Sequence, residues 1–214
     1  MYLALDTETG GLGDKISILT AYFTILDKDF KIIKELDLKL MPNDGIYIVQ
    51  GEGLRINKIN LAEHDLFAQT YGKCGTLLYD FLNRYYNEVT KQDRLVSGIT
   101  DEGVVIPVNC PITLEYERLI PIGHNVSMDI RKIKEFLISP ANWEKYVSYR
   151  CLDTCSIAQF LRMNGKLPKD LACSTDSLIT HFNIKVEGVL HEAKYDTLCG
   201  VEILKELNKL VQGV

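Results

Sequence analysis

Several features are missing from this 214-residue sequence, and each absence excludes a class of protein. No run of about 18 apolar residues occurs, so we expect neither a membrane-spanning helix nor a membrane partner. The first residues do not form a basic region followed by an apolar core and a cleavage site, because Asp6 and Glu8 come too early. We therefore expect a cytoplasmic protein.

The cysteines lack the spacing of a structural metal site. The sequence has six cysteines but no CxxC pair, and Cys151 and Cys155 lie four positions apart. Buried free thiols are therefore expected, rather than disulfides or zinc ligands. A thiol or zinc protein built on Cys151 and Cys155 is excluded by the same spacing.

A surplus of positive charge is also missing. The formal net charge of −5 argues against a protein that binds polyanions by bulk charge alone. Metal ions or a local basic patch can replace bulk charge, so enzymes acting on nucleic acid are not excluded. No internal repeat or low-complexity linker interrupts the chain, and its length favours a single α/β domain over residues 1–214.

Apolar periodicity predicts strands early in the chain and helices later. The polar residues 27–29 between two β-rich segments predict a hairpin. Residues 93–118 are expected to be an insertion beside the core, with a β-hairpin as one interpretation. Strands are expected at 2–6, 16–26, 31–41 and 119–122, and helices around 77–85, after 125, and over 151–163, 174–182 and 192–210. This order predicts a mixed sheet with helices packed on its faces.

Acidic side chains recur at the ends of these predicted elements. Asp6 and Glu8 follow a buried strand, where two carboxylates are costly to ionise without a partner. Asp129 lies one turn into a helix, Asp196 lies near the start of the last helix, and His191 comes just before that helix. Each residue alone has an ordinary explanation, such as a turn, a helix cap, an exposed charge or a core histidine. Together they indicate a shared site.

Two features near these acids each have two interpretations. Gly200 lies four residues after Asp196, so a residue without a side chain shares the face of that aspartate. Either something bulky needs the space, or a close helix contact requires the glycine. The basic residues Arg131, Lys132 and Lys134 follow Asp129. They either guide a phosphate backbone or form a solvated helix face, which is the commoner case.

Three motifs, in order, resemble those of the DnaQ-like exonucleases, the DEDD superfamily, in the subgroup with a histidine general base. The motifs are DTETGGL (6–12), GHNVSMDIRKI (123–133) and HEAKYDTLC (191–199). The resemblance covers most of the chain and implies an α/β, ribonuclease H-like fold, with a mixed five-stranded sheet flanked by helices. This chain has Gly10 where the family commonly has threonine, and the 93–118 insertion is not part of the usual core.

The resemblance implies a metal-dependent 3′–5′ exonuclease that releases nucleoside 5′-monophosphates from single-stranded ends, with DNA slightly favoured. Two Mg²⁺ or Mn²⁺ ions would be held by Asp6, Glu8, Asp129 and Asp196, since hard cations prefer oxygen ligands. Without cations, four converging carboxylates would raise one another's pKa. His191 would take the proton of the attacking water, because an imidazole has an ordinary pKa of about 6.5.

The same resemblance implies how a 3′ end would be bound. The main chain at Thr9 and Gly10 would meet the terminal hydroxyl, and Leu12 would wedge against the last base. The alternative for this segment is an ordinary glycine-rich turn. Asn125 would contact the scissile phosphate or cap its helix, and the two roles are compatible.

Two other functions remain open. One is an RNA-trimming exoribonuclease of the same fold, which the sequence does not distinguish from a DNA exonuclease. The other is a non-catalytic nucleic-acid-binding or polymerase-binding module. The expected partner is the 3′ end of single-stranded nucleic acid. No polymerase motif is present, so proofreading would require a separate polymerase chain.

Overall fold

A computed structural model describes residues 1–96 and 118–212, with the backbone alone over 86–96. The strands are β1 (Tyr2–Thr9), β2 (Ile18–Leu26), β3 (Ile32–Met41), β4 (Gln69–Thr70), β5 (Ile120–Gly123) and β6 (Leu152–Asp153). The helices are α1 (Gly51–Asn57), α2 (Leu61–Asp65), α3 (Tyr71–Val96), α4 (Val126–Phe136), α5 (Pro140–Tyr146), α6 (Thr154–Met163), α7 (Thr175–Phe182) and α8 (Ala193–Gln212).

The strands form one mixed sheet in the order β4-β3-β2-β1-β5-β6. Strands β1, β2 and β3 are antiparallel neighbours, whereas β4, β5 and β6 each pair in parallel. The sheet has six strands rather than the predicted five. Two of the six, β4 and β6, contain only two residues each. Such short strands are defined by their pairing partners and leave no periodic pattern in the sequence.

Strand β1 extends beyond its parallel neighbour β5. The two pair only from Tyr2, opposite Ile120, to Ala4, opposite Ile122. Pairing between β1 and β2 continues much further, to Thr9. The last residues of β1 are therefore open on the β5 side. Helix α4, which follows β5 after a short turn, begins near this opening.

The two faces of β1 are covered by different helices. Leu3 and Leu5 belong to the core that α3, α4 and α5 complete, whereas Ala4 packs with Val201 and Leu204 of α8. Because side chains alternate along a strand, Asp6 and Glu8 point to the face covered by α8. The intervening residue, Thr7, points to the face of α4.

Several expected elements differ from those observed. Helices α1, α2 and α5 were not predicted. The helix expected over 151–163 begins at Thr154, since β6 precedes it. The proposed hairpin arms at 104–108 and 113–119 lie almost wholly outside the described residues. Within 1–96 and 118–212, no helix is long and apolar enough to cross a bilayer.

One edge of the sheet is only briefly covered. Strand β4 pairs with Leu40 and Met41 at the end of β3. Over residues 32–39, the outer edge of β3 has no strand neighbour within the described parts of the chain.

Candidate active site

The structure brings the five predicted site residues together at the open end of β1. Asp6 and Glu8 come from β1, Asp129 comes from the first turn of α4, and Asp196 comes from the first turn of α8. Glu8, His191 and Asp196 each offer a ligand atom, and these atoms lie within 4.8 Å of one another. Residues separated by nearly 200 positions in the sequence therefore share one cluster.

Burial raises the pKa of every carboxyl group in this cluster, and repulsion within the cluster adds to the effect for Asp6 and Glu8. The pKa of Asp6 lies well above its ordinary value because of burial, and next because of the negative charges of Asp129, Glu8 and Asp196. Burial, followed by the charges of Asp196 and Asp129, raises the pKa of Glu8 to about 8. Burial raises the pKa of Asp129 to about 7 and that of Asp196 to about 6. The site therefore resists full ionisation in the absence of a cation.

Asp129 is tied to β1 through Thr7, a residue that the sequence analysis did not single out. One oxygen of Asp129 accepts hydrogen bonds from the Thr7 amide, at 3.2 Å, and from the Thr7 hydroxyl, at 2.6 Å. Thr7 lies beyond the last residue of β1 that pairs with β5, so the carboxylate supplies a partner where the neighbouring strand has ended. The bond fixes the first turn of α4 against the strand that carries Asp6 and Glu8.

Asp196 has one oxygen that is engaged and one that is not. Its Oδ2 accepts a hydrogen bond from the His191 backbone amide at 3.1 Å. Its Oδ1 is buried and has no hydrogen-bond partner among the residues that the structure describes. An unpartnered buried carboxylate oxygen is costly. A divalent cation would compensate for it, and the crowded carboxylates supply the oxygen ligands that Mg²⁺ and Mn²⁺ prefer. The residues present therefore fit such an ion.

His191 lies at the junction of two cavities. One, of about 530 Å³, also contains Asn125 and Asp196, and the other, of about 570 Å³, also contains Glu8. The backbone of His191 has a φ of 68°, in the left-handed region, and Gly188 three residues earlier has a φ of 144°. The main-chain bond to Asp196 keeps the imidazole beside the carboxylates.

Asn125 does not act as a side-chain cap for α4. It occupies the N-cap position in a left-handed conformation, with a φ of 58°, and its side chain makes no capping hydrogen bond. Its backbone amide instead donates to Asp153, whose carboxylate also caps α6 through the amides of Cys155 and Ser156. Of the two expected roles, capping is wrong, and the exposed side chain is left facing the cavity beside His191.

The loop between β1 and β2, residues 10–17, borders a smaller cavity next to Glu8. This cavity, of about 190 Å³, lies between Leu12 and Ile56 of α1. The Leu12 side chain is 73% exposed. The Thr9 carbonyl accepts a hydrogen bond from the Asn57 side chain at 2.9 Å, which ties α1 to the end of β1.

Packing explains the glycine that departs from the family pattern. A Cβ at Gly10 would lie 2.5 Å from Val49 Cγ1, so threonine would not fit there. Gly53 is close to the same backbone, since its Cβ would lie 2.5 Å from the Gly10 carbonyl oxygen. The loop and the start of α1 therefore approach each other at a distance that only glycine allows.

Gly200 behaves differently, and alanine at this position is expected to stabilise the protein. An added Cβ would have no non-local atom within 4 Å, so a close helix contact is not the reason for this glycine. Alanine in a helix interior is favoured over glycine by about 0.5–1 kcal/mol. Thermal melting followed by circular dichroism should show Gly200→Ala melting a few degrees higher, and Gly10→Ala, the matched control, melting lower. A lower melting temperature for Gly200→Ala would contradict this account.

Of the basic residues of α4, Arg131 is exposed and Lys134 is half-buried, but Lys132 does not belong to a solvated face. Lys132 is buried, with only 3% of its surface exposed. Arg131 pairs with Asp14, and Lys134 pairs with Glu144. The expectation of a solvated helix face is wrong for Lys132.

The five described cysteines are free, as expected, and four of them are buried. Cys151 is exposed, so the expectation of burial is wrong for that residue.

No protein-family model matches the sequence, and no curated protein sequence matches it. Solved structures do match. E. coli exonuclease I in complex with a 5cy-dT13 oligonucleotide has a TM-score of 0.64 and 15% identity, over 99% of this chain and 41% of that one. The chain has the ribonuclease H-like fold of exonuclease I.

Two further exonuclease I structures agree with this comparison. The zinc-bound form of the E. coli ExoI–ssDNA complex has a TM-score of 0.62 and 17% identity, over 99% of this chain and 41% of that one. A product-bound structure of exonuclease I has a TM-score of 0.62 and 14% identity, over 97% of this chain and 43% of that one. The chain thus spans about two fifths of the length of these exonuclease I chains.

Proposed function

We propose that this chain is a divalent-metal-dependent 3′–5′ exonuclease that releases nucleoside 5′-monophosphates from single-stranded ends, with DNA favoured over RNA. The observation that carries the proposal is the cluster of four carboxylates and one histidine at the open end of β1. The fold adds support, because exonuclease I has been solved with single-stranded DNA and with product.

In this proposal the four acids hold two Mg²⁺ or Mn²⁺ ions. Asp6 would be one of these ligands, since the charges of all three other carboxylates act on it. When bound, such ions neutralise charge at the phosphate and acidify the attacking water. Thr7 keeps the Asp129 oxygens oriented toward the cluster.

His191 is the proposed general base. Its main chain is held by Asp196, which keeps the imidazole next to the carboxylates. A neutral imidazole accepts a proton from the attacking water at neutral pH. His191 lines both cavities.

The cavity beside Glu8 is the proposed site of the terminal nucleoside. Glu8 and the main chain at Thr9 and Gly10 meet the 3′-hydroxyl. Leu12 and Ile56 are both exposed apolar side chains on the walls of this cavity, where a base would contact them without sequence readout. The exposed Asn125 is proposed to contact the scissile phosphate.

The direct test uses matched 5′-labelled DNA and RNA 20-mers with Mg²⁺ or Mn²⁺. Stepwise shortening from the 3′ end, with release of nucleoside 5′-monophosphates, is expected, and faster for DNA. An oligonucleotide that carries a 3′-terminal phosphate serves as the control and should resist degradation. Faster loss of RNA would identify an exoribonuclease, and binding of both polymers without degradation would identify a non-catalytic module.

The cellular setting is also a proposal. The exposed free thiol of Cys151 suits a reducing compartment, which supports the cytoplasm. Partnership with a separate polymerase chain would follow if the enzyme proofreads, and co-purification with a polymerase would test it.

A further inference from the structure

Helix α4 carries a buried lysine that has no role in the proposed chemistry. Lys132 lies one turn after Asp129 and is only 3% exposed. Burying an ammonium group is costly unless hydrogen bonds and opposite charge compensate. A buried lysine therefore needs acceptors or an opposite charge close to its ammonium group.

The partners of Lys132 lie mainly in the loop between β1 and β2. Its Nζ donates to the Gly13 carbonyl at 2.9 Å and to the Ile16 carbonyl at 3.4 Å. Glu135, on the same helix, lies 3.7 Å away, and the Phe136 ring centroid lies 5.3 Å away. An ammonium group has three donors. Both of the hydrogen bonds made by Lys132 Nζ are to loop carbonyls.

The other side of the same loop is held by Gln50. Its side-chain amide donates to the Leu12 carbonyl at 3.0 Å and accepts from the Leu12 amide at 3.0 Å. Its backbone amide donates to the Gly10 carbonyl at 2.7 Å. Leu12 is thus fixed through its main chain, while its side chain is 73% exposed.

The loop needs such external contacts because its own sequence favours mobility. Gly11 and Gly13 adopt φ angles of 147° and 116°, and Lys15 has a φ of 63°. Glycine gives the chain many alternative conformations. Without Gln50 and Lys132, the exposed Leu12 would not be kept in one place.

We propose that Lys132 is a positioning residue, which locks residues 13–16 so that Leu12 presents a fixed apolar surface to the terminal base of the substrate. The proposal rests on the proposed exonuclease function and adds a residue to it. Because Lys132 and Asp129 share α4, one helix positions both an acid of the cluster and the surface that holds the 3′ end. In this proposal Lys132 itself contacts neither the clustered carboxylates nor the substrate.

The test compares Lys132→Met with Lys134→Met, a control on the same helix whose lysine contacts Glu144 and not the loop. Two DNA substrates are used, one with an ordinary 3′ end and one that ends in an abasic residue. Because Leu12 would no longer be held against the terminal base, KM for the ordinary end should rise about 10-fold in Lys132→Met. The kcat on both ends, and the KM for the abasic end, should be unchanged.

Hydrogen exchange gives a readout that needs neither metal nor turnover. The amides of residues 11–14 should exchange faster in Lys132→Met than in the unmodified protein or in Lys134→Met. Lys132→Arg, which keeps a charged donor, should restore much of the slow exchange. If Lys132→Met does not fold, Lys132→Gln, which retains two of the three donors without the charge, replaces it in the same comparisons.

A further variant, Leu12→Ala, removes the apolar side chain directly. It should raise KM for the ordinary end as Lys132→Met does, and the double variant should be no worse than either single variant, because both changes remove the same contact. An equal loss on ordinary and abasic ends, additive effects, or unchanged exchange at 11–14 would overturn the inference. A wild-type protein that degrades neither substrate would refute the exonuclease function instead, and the exchange data would still decide whether Lys132 holds the loop.

Discussion

Asp6→Asn is expected to abolish strand degradation and, at the same time, to raise the melting temperature of the metal-free protein. The carboxylate is the one most affected by the charges of its neighbours, so its removal takes away both a ligand and a source of repulsion. A loss of at least about 1000-fold is expected, since it corresponds to about 4 kcal/mol of transition-state stabilisation. Chelator-treated protein should melt a few degrees higher, because about 1 kcal/mol is worth roughly 2–4 °C at this size.

Activity is expected to fall while the melting temperature rises, and this combination distinguishes the loss of a metal ligand from general damage to the fold. Asp196→Ala should likewise abolish degradation of a 5′-labelled oligonucleotide and leave the fold intact. Asp29→Asn, in the exposed turn between β2 and β3, is the matched control and should change neither quantity. Undiminished activity in both site variants would refute the metal site. Lost activity with a lower melting temperature for Asp6→Asn would instead show that Asp6 supports the fold.

The stability of the metal-free protein is expected to fall as the pH rises from about 4 to about 8. In the folded chain the pKa values are about 8 for Glu8, about 7 for Asp129 and about 6 for Asp196, all above those of the unfolded chain. Between the unfolded and folded values, the folded state binds more protons, so stability is present at low pH and is lost as the pH rises through the folded values. Each excess proton contributes at most about 1.4 kcal/mol per pH unit, and solvent screening reduces this at the partly exposed groups.

Added Mg²⁺ or Mn²⁺ should reverse this trend, because a cation binds the ionised carboxylates. At a concentration 100-fold above its Kd, a ligand of the folded state stabilises it by about 2.7 kcal/mol. Urea unfolding at pH 5, 6, 7 and 8, with chelator or with metal, would measure both effects. The gain from metal should increase with pH.

To isolate the effect of the acidic cluster on stability, a variant without two of its acids is needed, because other groups titrate in the same pH range. Burial lowers the pKa of His124, which gives a pH dependence of the opposite sign. The difference between the wild type and an Asp6→Asn, Asp196→Asn double variant removes that contribution. If the chelated wild type gained stability relative to the double variant as the pH rose, repulsion within the cluster would be disproved.

The long elements were predictable from the sequence because their patterns repeat. Strands β2 and β3 are rich in β-branched and apolar residues, and α3 shows apolar residues on one helical face. Shorter elements depend on distant partners. Residues Gln69–Thr70 form a strand because Leu40 and Met41 lie beside them. Helix α5 is only seven residues long and was not predicted, although Pro140 lies in its first turn after the Ser139 cap.

Some residues of the candidate site were likewise predictable from the sequence, and others were not. Motif order was enough to group the acids and His191, because each motif lies next to an element whose end could be placed. Thr7 and Gln50 were not predicted to matter, and Lys132 was named without its burial being foreseen. Lys132 bonds to carbonyls 116 and 119 positions away, and main-chain acceptors carry no sequence signal. A lysine beside an acidic motif looks the same whether it is solvated or buried.

Among the residues that the structure describes, no strand pairs with the outer edge of β3 over residues 32–39, and this bears on association between molecules. Exposed backbone on an outer strand can recruit another extended chain and so seed aggregates. Along residues 32–39, however, charged side chains of both signs interrupt the apolar ones, namely Lys34, Glu35, Asp37 and Lys39. Such charges discourage edge-to-edge growth. Strand β3 supplies none of the clustered acids, so substitutions at these four charged residues would test edge-to-edge association without removing a predicted metal ligand.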